Sequence, residues 1–184
     1  MNAILLTLMR SLLTVALAVL LSLSGSATAL AQTHVAVLPG LKGVFAGSPP
    51  ENIGVQDGHL ASCPATPNCV VSQGADEDHA IAPISYSTDR ATAQQNLADI
   101  LGVVPRTNIV QQQDGYILAE SESRLMGFVD DSEFYFPTDE KVIQVRAAAR
   151  LGESDLGVNR RRVEQIRLAL KDLEQRAALQ PEGI

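Results

Sequence analysis

Three carboxylates, Asp130, Asp131 and Glu133, lie close together in the stretch "GFVDDSEFYF". Two carboxylates on one face can serve as the acid and base of a hydrolase or lyase. Asp130 and Asp131 are adjacent, so on a regular β-strand they point to opposite faces and cannot form such a pair. Asp131 with Glu133, or Asp155 reaching across, can place two carboxylates on one face. The stretch is therefore either a catalytic acid cluster or the polar side of a sheet.

A second polar group follows in "RLGESDLGVNRRR", where Asn159 is a good helix N-cap. Arginine in the first turn of a helix opposes the macrodipole by about 0.3–1 kcal/mol per residue. That cost vanishes if Asp155 or an earlier residue is the true cap, and it is offset if carboxylates of a neighbouring strand lie over the helix start. We therefore expect a buried or half-buried Asp/Arg network that docks the C-terminal helix, with Asp130, Asp155, Arg150 and Arg160 as its centre. The whole candidate polar cluster is Arg124, Asp130, Asp131, Glu133, Arg146, Arg150, Asp155, Asn159, Arg160 and Arg162.

The acidic stretch and the residues 141–150 form a predicted β-hairpin. If 137–140 is a four-residue loop, Asp131 opposes Arg146 on one face, and the other face is largely apolar. Asp130 is the exception, because its parity places it on the apolar face, where a carboxylate needs donors, a proton or a β-bulge. Exposed cross-strand ion pairs contribute only about 0–1 kcal/mol, so a purely structural role for the polar face is a full alternative.

Two functions of different classes fit these residues. The first is a binding or assembly module whose polar cluster holds a protein partner or a small anion. The second is a carboxylate-dependent hydrolase or lyase in which Arg124 or Arg160 orients an anionic substrate. The sequence has no G-x-S-x-G, H-E-x-x-H or P-loop motif, and its three histidines are scattered, so we favour the module and predict neither a metal nor a cofactor.

The elements that must position these residues follow residue 76. A strand is predicted over 79–87, and a helix over 89–104 with Thr88 or Asp89 as its cap. Pro105 ends that helix, four β-type runs follow, and a last helix covers 159–178. The pattern predicts an α+β fold: an antiparallel sheet of about four to five strands with two helices packed on one face.

The N-terminus has the pattern of a secretory signal peptide. Arg10 precedes an apolar run of 13 residues, and Ala29 and Ala31 fit a cleavage site before Gln32. An uncleaved anchor is the alternative, although the run is shorter than the roughly 20 residues that a membrane span needs. The predicted organisation is a signal peptide (1–31), an irregular segment with a disulfide loop (32–75), an α+β domain (76–178) and a tail (179–184).

The net charge of the chain limits the classes of partner that we expect. The chain of 184 residues has a net charge of −7. Phosphate contacts dominate nucleic-acid affinity, so we expect no nucleic-acid partner and little adhesion to anionic lipids. No integral membrane span is expected once the signal peptide is removed.

Export changes the interpretation of the two cysteines. "CPATPNC" holds Cys63 and Cys69 six positions apart with two prolines between them. In an oxidising compartment such a pair indicates a disulfide. Reactive thiols or a metal site remain alternatives, although a redox pair is normally C-x-x-C and zinc needs more ligands than His59 adds.

Three stretches, "CPATPNCV", "ESESRLMGFVDDSEFYF" and "VRAAARLGESDLGVNRRRVEQIR", resemble the domain-of-unknown-function family 1499. The resemblance spans about Cys63 to Leu170 and implies no reaction. Members occur in bacteria, with similar domains in chloroplasts, so the periplasm or, in a photosynthetic source, the thylakoid lumen is the implied location. Ala149 departs from the pattern, which often has serine there. The matching residues are Cys63, Asn68, Cys69, Ser123, Arg124, Phe128, Asp130, Asp131, Glu133, Phe134, Arg146, Arg150, Gly152, Ser154, Asp155, Gly157, Asn159, Arg160 and Arg162.

Overall fold

The computed structural model describes residues 43–179, so the predicted signal peptide and all of the predicted tail after Leu179 lie outside the described residues. Within this range, two helices and six strands follow one another. The strands are β1 (Cys69–Val71), β2 (Ile84–Ser85), β3 (Thr107–Gln113), β4 (Tyr116–Glu122), β5 (Val129–Tyr135) and β6 (Val142–Ala149), and the helices are α1 (Arg90–Val103) and α2 (Val158–Leu179).

All strand pairs are antiparallel, in the order β1-β6-β5-β4-β3, and β2 pairs with β6 beyond the end of β1. Two short strands therefore share one edge of β6. The predicted α+β class is confirmed, and the sheet has one or two more strands than the β-type runs indicated. The added strand β1 falls inside the segment that was expected to be irregular.

The helix α1 begins where its sequence provides a cap. The Asp89 carboxylate accepts the backbone N–H of Thr92 at 3.0 Å, which satisfies one of the free donors of the first turn. Ala93, Leu97 and Leu101 are buried on one face, as the 3-4 spacing predicts. Proline at 105 lacks the N–H that a further turn would need, so the helix ends at Val103.

Both helices pack on the same face of the sheet. Phe134 and Ile117 are fully buried there, and side chains of α1 and α2, Leu97 and Ile166 among them, complete one apolar core. The alternation of β5 turns Asp130, Ser132 and Phe134 toward this helix face.

The opposite face of the sheet is covered by the chain that precedes β1. Ile53, Val55 and Leu60 pack against Tyr116 and Leu118 of β4 in a second, smaller core. Asp131 and Glu133 have the parity of this face. Neither side of the middle strands is therefore the wet face of an open sheet.

The predicted hairpin between β5 and β6 is present, but its register is wrong by two residues. Arg146 opposes Glu133, and Asp131 opposes Ala148. The connection is longer than four residues because the Phe136 N–H bonds to Gly115 O at 2.9 Å instead of to β6. A shift of two residues keeps the parity, so Asp131 and Arg146 still share one face.

The predicted disulfide is confirmed: Cys63 and Cys69 are bonded, with their Cα atoms 5.6 Å apart. Between them, Asn68 donates to Gly152 O at 2.6 Å, and its carbonyl accepts the Ala149 N–H at 3.0 Å. The disulfide loop is therefore fastened to the end of β6. Within residues 43–179, neither helix has the length and apolar character needed to cross a bilayer.

Candidate functional site

The predicted polar cluster is two clusters, one on each face of the sheet. Asp130 faces α2, whereas Asp131 and Glu133 face the segment that precedes β1. Successive residues of a strand point to opposite faces, and no bulge interrupts β5 at this point. Each cluster is therefore described separately.

Glu133 is the centre of the cluster on the face opposite the helices. Its side chain is fully buried and accepts three hydrogen bonds, from Gly54 N at 2.7 Å, Tyr116 Oη at 2.9 Å and Arg146 Nη1 at 3.1 Å. Burial, reinforced by the charge of Glu133, raises the pKa of Tyr116, which stays a donor. Gly54 belongs to residues 43–62, which we call the covering segment, so this carboxylate holds that segment onto the sheet.

Arg150 completes the same cluster. Its Nε and Nη2 donate to the two oxygens of Asp131 at 2.8 and 2.7 Å, and Nη2 also donates to Glu120. The hydrogen bonds to Asp131 raise the pKa of Arg150, although burial opposes them. We call Glu120, Asp131, Glu133, Arg146 and Arg150 the sheet cluster.

Asp130 lies on the helix face in a different environment. Its Oδ2 accepts one bond from Arg162 Nη2 at 2.8 Å. Burial raises the pKa of Asp130 despite that arginine, and the charge of Asp155 raises it further. Arg162 is held in place by Asn159, whose Oδ1 accepts from Nη1 at 2.6 Å.

The helix α2 begins at Val158, and the side chain that caps its start is that of Asp155, the alternative to an Asn159 cap. The Asp155 carboxylate accepts the N–H of Gly157 at 2.9 Å and of Asn159 at 2.8 Å. Leu156 and Gly157 both have positive φ, 54° and 76°, so the chain turns sharply into the helix. Asn159 is buried in the first turn and donates to Asn68 O at 3.3 Å, which links α2 to the disulfide loop.

Two cavities meet at Asp130 and share Ser123, Asp130 and Val158. One, of about 310 Å³, has three arginines in its wall, Arg106, Arg161 and Arg162, and we call it the arginine half. The other, of about 260 Å³, is apolar and is lined in part by Phe128, Leu151 and Leu156. We call the two together the Asp130 cleft.

Two predicted cluster residues lie elsewhere. Arg160 donates to the backbone carbonyls of Ala80 and Asp78 at 2.6 and 2.9 Å. It therefore attaches α2 to the segment that precedes β2. Arg124 is exposed in the turn between β4 and β5. The expected network of Asp130 and Asp155 with Arg150 and Arg160 is therefore wrong. Arg162 takes the place of Arg160, and Arg150 belongs to the other face.

Several residues of these clusters were missing from the sequence prediction. Tyr116 and Glu120 could have been found, because both share a parity on β4 and the β4–β5 pairing sets Glu120 opposite Asp131. Arg106 and Arg161 carry no local signal, since only the tertiary fold brings the end of α1 beside the start of α2. In the described part of the chain, no three His, Cys, Asp or Glu side chains are grouped to hold a metal ion.

One protein family matches the part of the chain that holds the residues described above. The family model described as "Protein of unknown function (DUF1499)" matches residues 59–170, which include the disulfide loop, both polar clusters and most of α2. Neither a curated protein nor a solved structure shows significant similarity to the chain. The match covers more than half of the sequence, and the chain belongs to the DUF1499 family.

Proposed function

We propose that this protein is an exported binding module that holds a small amphiphilic anion in the Asp130 cleft. One observation carries the proposal: an arginine-lined cavity and an apolar cavity meet at a single buried carboxylate. A ligand with an anionic head and a short apolar part matches both halves. The signal-peptide pattern supports export to the periplasm or, in a photosynthetic source, to the thylakoid lumen.

The arginine half is locally positive although the chain is acidic. Three guanidinium groups line it against two carboxylates, those of Glu122 and Asp130. Arg161 and Arg162 also belong to the first turns of α2, where backbone N–H groups favour an anion. An anionic head group bound here offsets the unfavourable interaction between these arginines and the positive end of the helix macrodipole.

The apolar half opens onto exposed leucines. Leu151 and Leu156 line it and are 42% and 84% exposed, and the adjoining turn presents Leu125, which is 65% exposed. Clustered exposed apolar side chains indicate a binding surface more than a folding requirement. Leu156 also has φ of 54°, a costly conformation for a residue that buries so little of its side chain.

A hydrolase or lyase is the second candidate, and one observation favours it. Asp130 and Asp155 line the same apolar cavity, and the pKa of Asp130 is raised, as in a general acid. Against it, both oxygens of Asp155 accept backbone N–H groups at the start of α2. Asp155 therefore has a structural task that a catalytic base would have to share.

The test uses laurate as the anionic amphiphile and dodecanol as its neutral counterpart, with titration calorimetry on the chain that begins at Gln32. We expect laurate to bind at least tenfold more tightly than dodecanol, a difference of about 1.4 kcal/mol. The double variant Arg106→Gln/Arg161→Gln should lose that preference, and Leu156→Asp should weaken both ligands.

Matched controls lie away from the cleft. Arg176→Gln removes an exposed arginine near the end of α2, and Leu168→Asp alters a leucine that is 64% exposed on the same helix. Equal binding of laurate by wild type and by the cleft variants would contradict the proposal. Turnover of an ester of the amphiphile that Asp130→Asn abolishes would instead establish the enzyme.

A further inference from the structure

His79 is a buried histidine in the turn between β1 and β2, and it lines neither half of the Asp130 cleft. Its side chain is 8% exposed, and both of its ring nitrogens face oxygen atoms. Nδ1 lies 2.7 Å from Oδ1 of Asp76, and Nε2 lies 3.2 Å from the backbone carbonyl oxygen of Thr66. Thr66 is in the middle of the disulfide loop, so the ring joins that loop to the turn.

The two partners of this ring are both acceptors, whereas a neutral imidazole carries only one N–H. Only the imidazolium, which donates from each nitrogen, satisfies a carboxylate and a carbonyl oxygen together. When the ring is neutral, its proton stays on Nδ1, because the bond to the Asp76 carboxylate is the stronger one. The lone pair of Nε2 then faces the carbonyl oxygen of Thr66, and that contact becomes repulsive.

We propose that His79 is a latch operated by a proton: its imidazolium holds the disulfide loop against the turn, and loss of the proton releases the loop. The Asp76 side of the latch is fixed, since the same Oδ1 also accepts the backbone N–H groups of Asp78 and His79 at 3.1 Å each. The side that moves is therefore the loop around Thr66.

The release ends at Asn68. Its side chain donates to Gly152 O at 2.6 Å, and its carbonyl accepts the Ala149 N–H at 3.0 Å. Neither bond involves the histidine ring, so the end of β6 keeps its contact with the loop when the latch opens. The latch needs no ligand, and its test is therefore independent of the proposed function.

The charged groups around the ring are mostly carboxylates. Asp76, Glu77 and Asp78 belong to the same turn. Neither the disulfide loop nor β1 holds a charged residue, and α2 adds one cation, Arg160, which donates to the backbone carbonyl of Asp78. The net charge beside the ring is therefore negative, which favours the imidazolium.

The direction of the pH dependence follows from these contacts. The hydrogen bonds to Asp76 and to the Thr66 carbonyl raise the pKa of His79, and burial opposes them. The stability that the latch contributes is therefore complete below the ordinary histidine pKa of about 6.5. It is lost as the pH rises through the higher pKa of the folded state.

The experiment follows the disulfide-intact chain by NMR from roughly pH 5 to pH 9. It records the ¹⁵N resonances of the His79 ring, the ¹³C resonance of the Thr66 carbonyl and the heteronuclear NOE of the Thr66 amide. We expect the ring and the carbonyl to titrate together, with a pKa above the ordinary histidine value, and the NOE to fall over the same range as the loop is released. A ring that is already neutral at roughly pH 6, or an NOE that stays constant while the ring titrates, would overturn the proposal.

Two variants separate the latch from other effects of pH. Asp76→Asn removes a charge that favours the imidazolium but keeps an oxygen acceptor, so the titrations of the ring and of Thr66 should both move to lower pH. His79→Gln should abolish the pH dependence of the Thr66 signals. If the histidine variant does not fold, Asp76→Asn decides alone, because the Asp76 side chain is 68% exposed.

Glu77→Gln and His59→Gln are the matched controls at exposed positions, and the Thr66 signals should titrate in them as in wild type. Two results would show that another group controls the loop. One is a Thr66 titration that persists in His79→Gln, and the other is a shift in Glu77→Gln as large as that in Asp76→Asn.

Discussion

Two buried carboxylates of one strand have opposite energetic roles. Glu133 accepts three hydrogen bonds, one of them from an arginine, so its charge is fully compensated. Asp130 receives a bond from Arg162, and burial still raises its pKa, so its ionised form is held at a cost to folding. A charge kept at such a cost is more typical of a functional group than of a structural one.

Replacing Asp130 with Asn should therefore not destabilise the fold at neutral pH. The amide oxygen still accepts from Arg162, so we expect a free energy of unfolding within about 1 kcal/mol of wild type, or above it. The pKa of Asp130 is raised above 3.8 on folding. Below pH 3.8 the carboxyl is therefore protonated in both the folded and the unfolded state, and its ionisation does not lower the stability of the fold. The cost appears as the pH rises through the folded value.

Denaturant unfolding of wild type and Asp130→Asn from roughly pH 3 to pH 7 measures this difference. The advantage of the variant should grow with pH and then level off. A variant less stable than wild type by more than about 2 kcal/mol at pH 7 would assign Asp130 to the structural network after all.

Glu133 and Arg146 should behave as one unit. Glu133→Leu leaves the Arg146 charge buried without compensation and should cost about 3–5 kcal/mol of unfolding free energy. The double variant Glu133→Leu/Arg146→Met removes both charges, so its cost should be well below the sum of the singles. Chemical denaturation of wild type, the two single variants and the double variant completes this double-mutant cycle. If the losses of unfolding free energy in the single variants add up to the loss in the double variant, Glu133 and Arg146 do not act as a pair.

At the scale of elements, alternation along the strands predicted the faces but not the contacts. Odd and even positions of a strand face opposite sides of the sheet, and this rule alone placed Asp131 on the face of Arg146 and Asp130 on the other face. The rule needs no knowledge of distant contacts. The register needed knowledge of the hairpin loop, where the Phe136 N–H bonds to Gly115 O and its ring contacts Tyr86 with centroids 6.2 Å apart. That contact joins residues far apart in sequence, so no local pattern reveals it.

The start of α2 was left open by the sequence for a related reason. Asn159 and Asp155 are both capping residues by type, and only the positive φ of Leu156 and Gly157 decides between them. Those two residues fold the chain back so that the Asp155 carboxylate reaches the N–H groups of Gly157 and Asn159.

Asp155→Ala should accordingly cost about 0.5–2 kcal/mol of unfolding free energy, the usual loss for a helix cap. Ser154→Ala is the neighbouring control, because its exposed hydroxyl accepts a single N–H, from Leu156 at 3.2 Å. We expect the control to lose clearly less. Equal losses in the two variants, measured by urea unfolding, would count against Asp155 as the cap.

At the scale of the whole molecule, the covering segment is the largest feature that sequence patterns missed. Residues 43–62 have no periodicity, yet they cover the sheet cluster. Their attachment rests on scattered contacts: the small core with Tyr116 and Leu118, the bond from Gly54 N to Glu133, and the tilted contact of Phe45 with Phe128, whose ring centroids are 5.2 Å apart. Contacts of this kind leave no repeat in the sequence, so the covered face of the sheet could not be foreseen.

The disulfide between Cys63 and Cys69 joins the end of the covering segment to β1, and its loss should lower stability without removing the Asp130 cleft. Closing so short a loop contributes about 2–3 kcal/mol through the entropy of the unfolded chain. We therefore expect the double variant Cys63→Ser/Cys69→Ser to unfold at a free energy lower by about that amount. Laurate binding in the Asp130 cleft should persist in the same variant, because neither cysteine lines that cleft. Urea unfolding and the laurate titration on one preparation measure both quantities. Loss of laurate binding would mean that the disulfide supports the whole sheet and not only the loop that it closes.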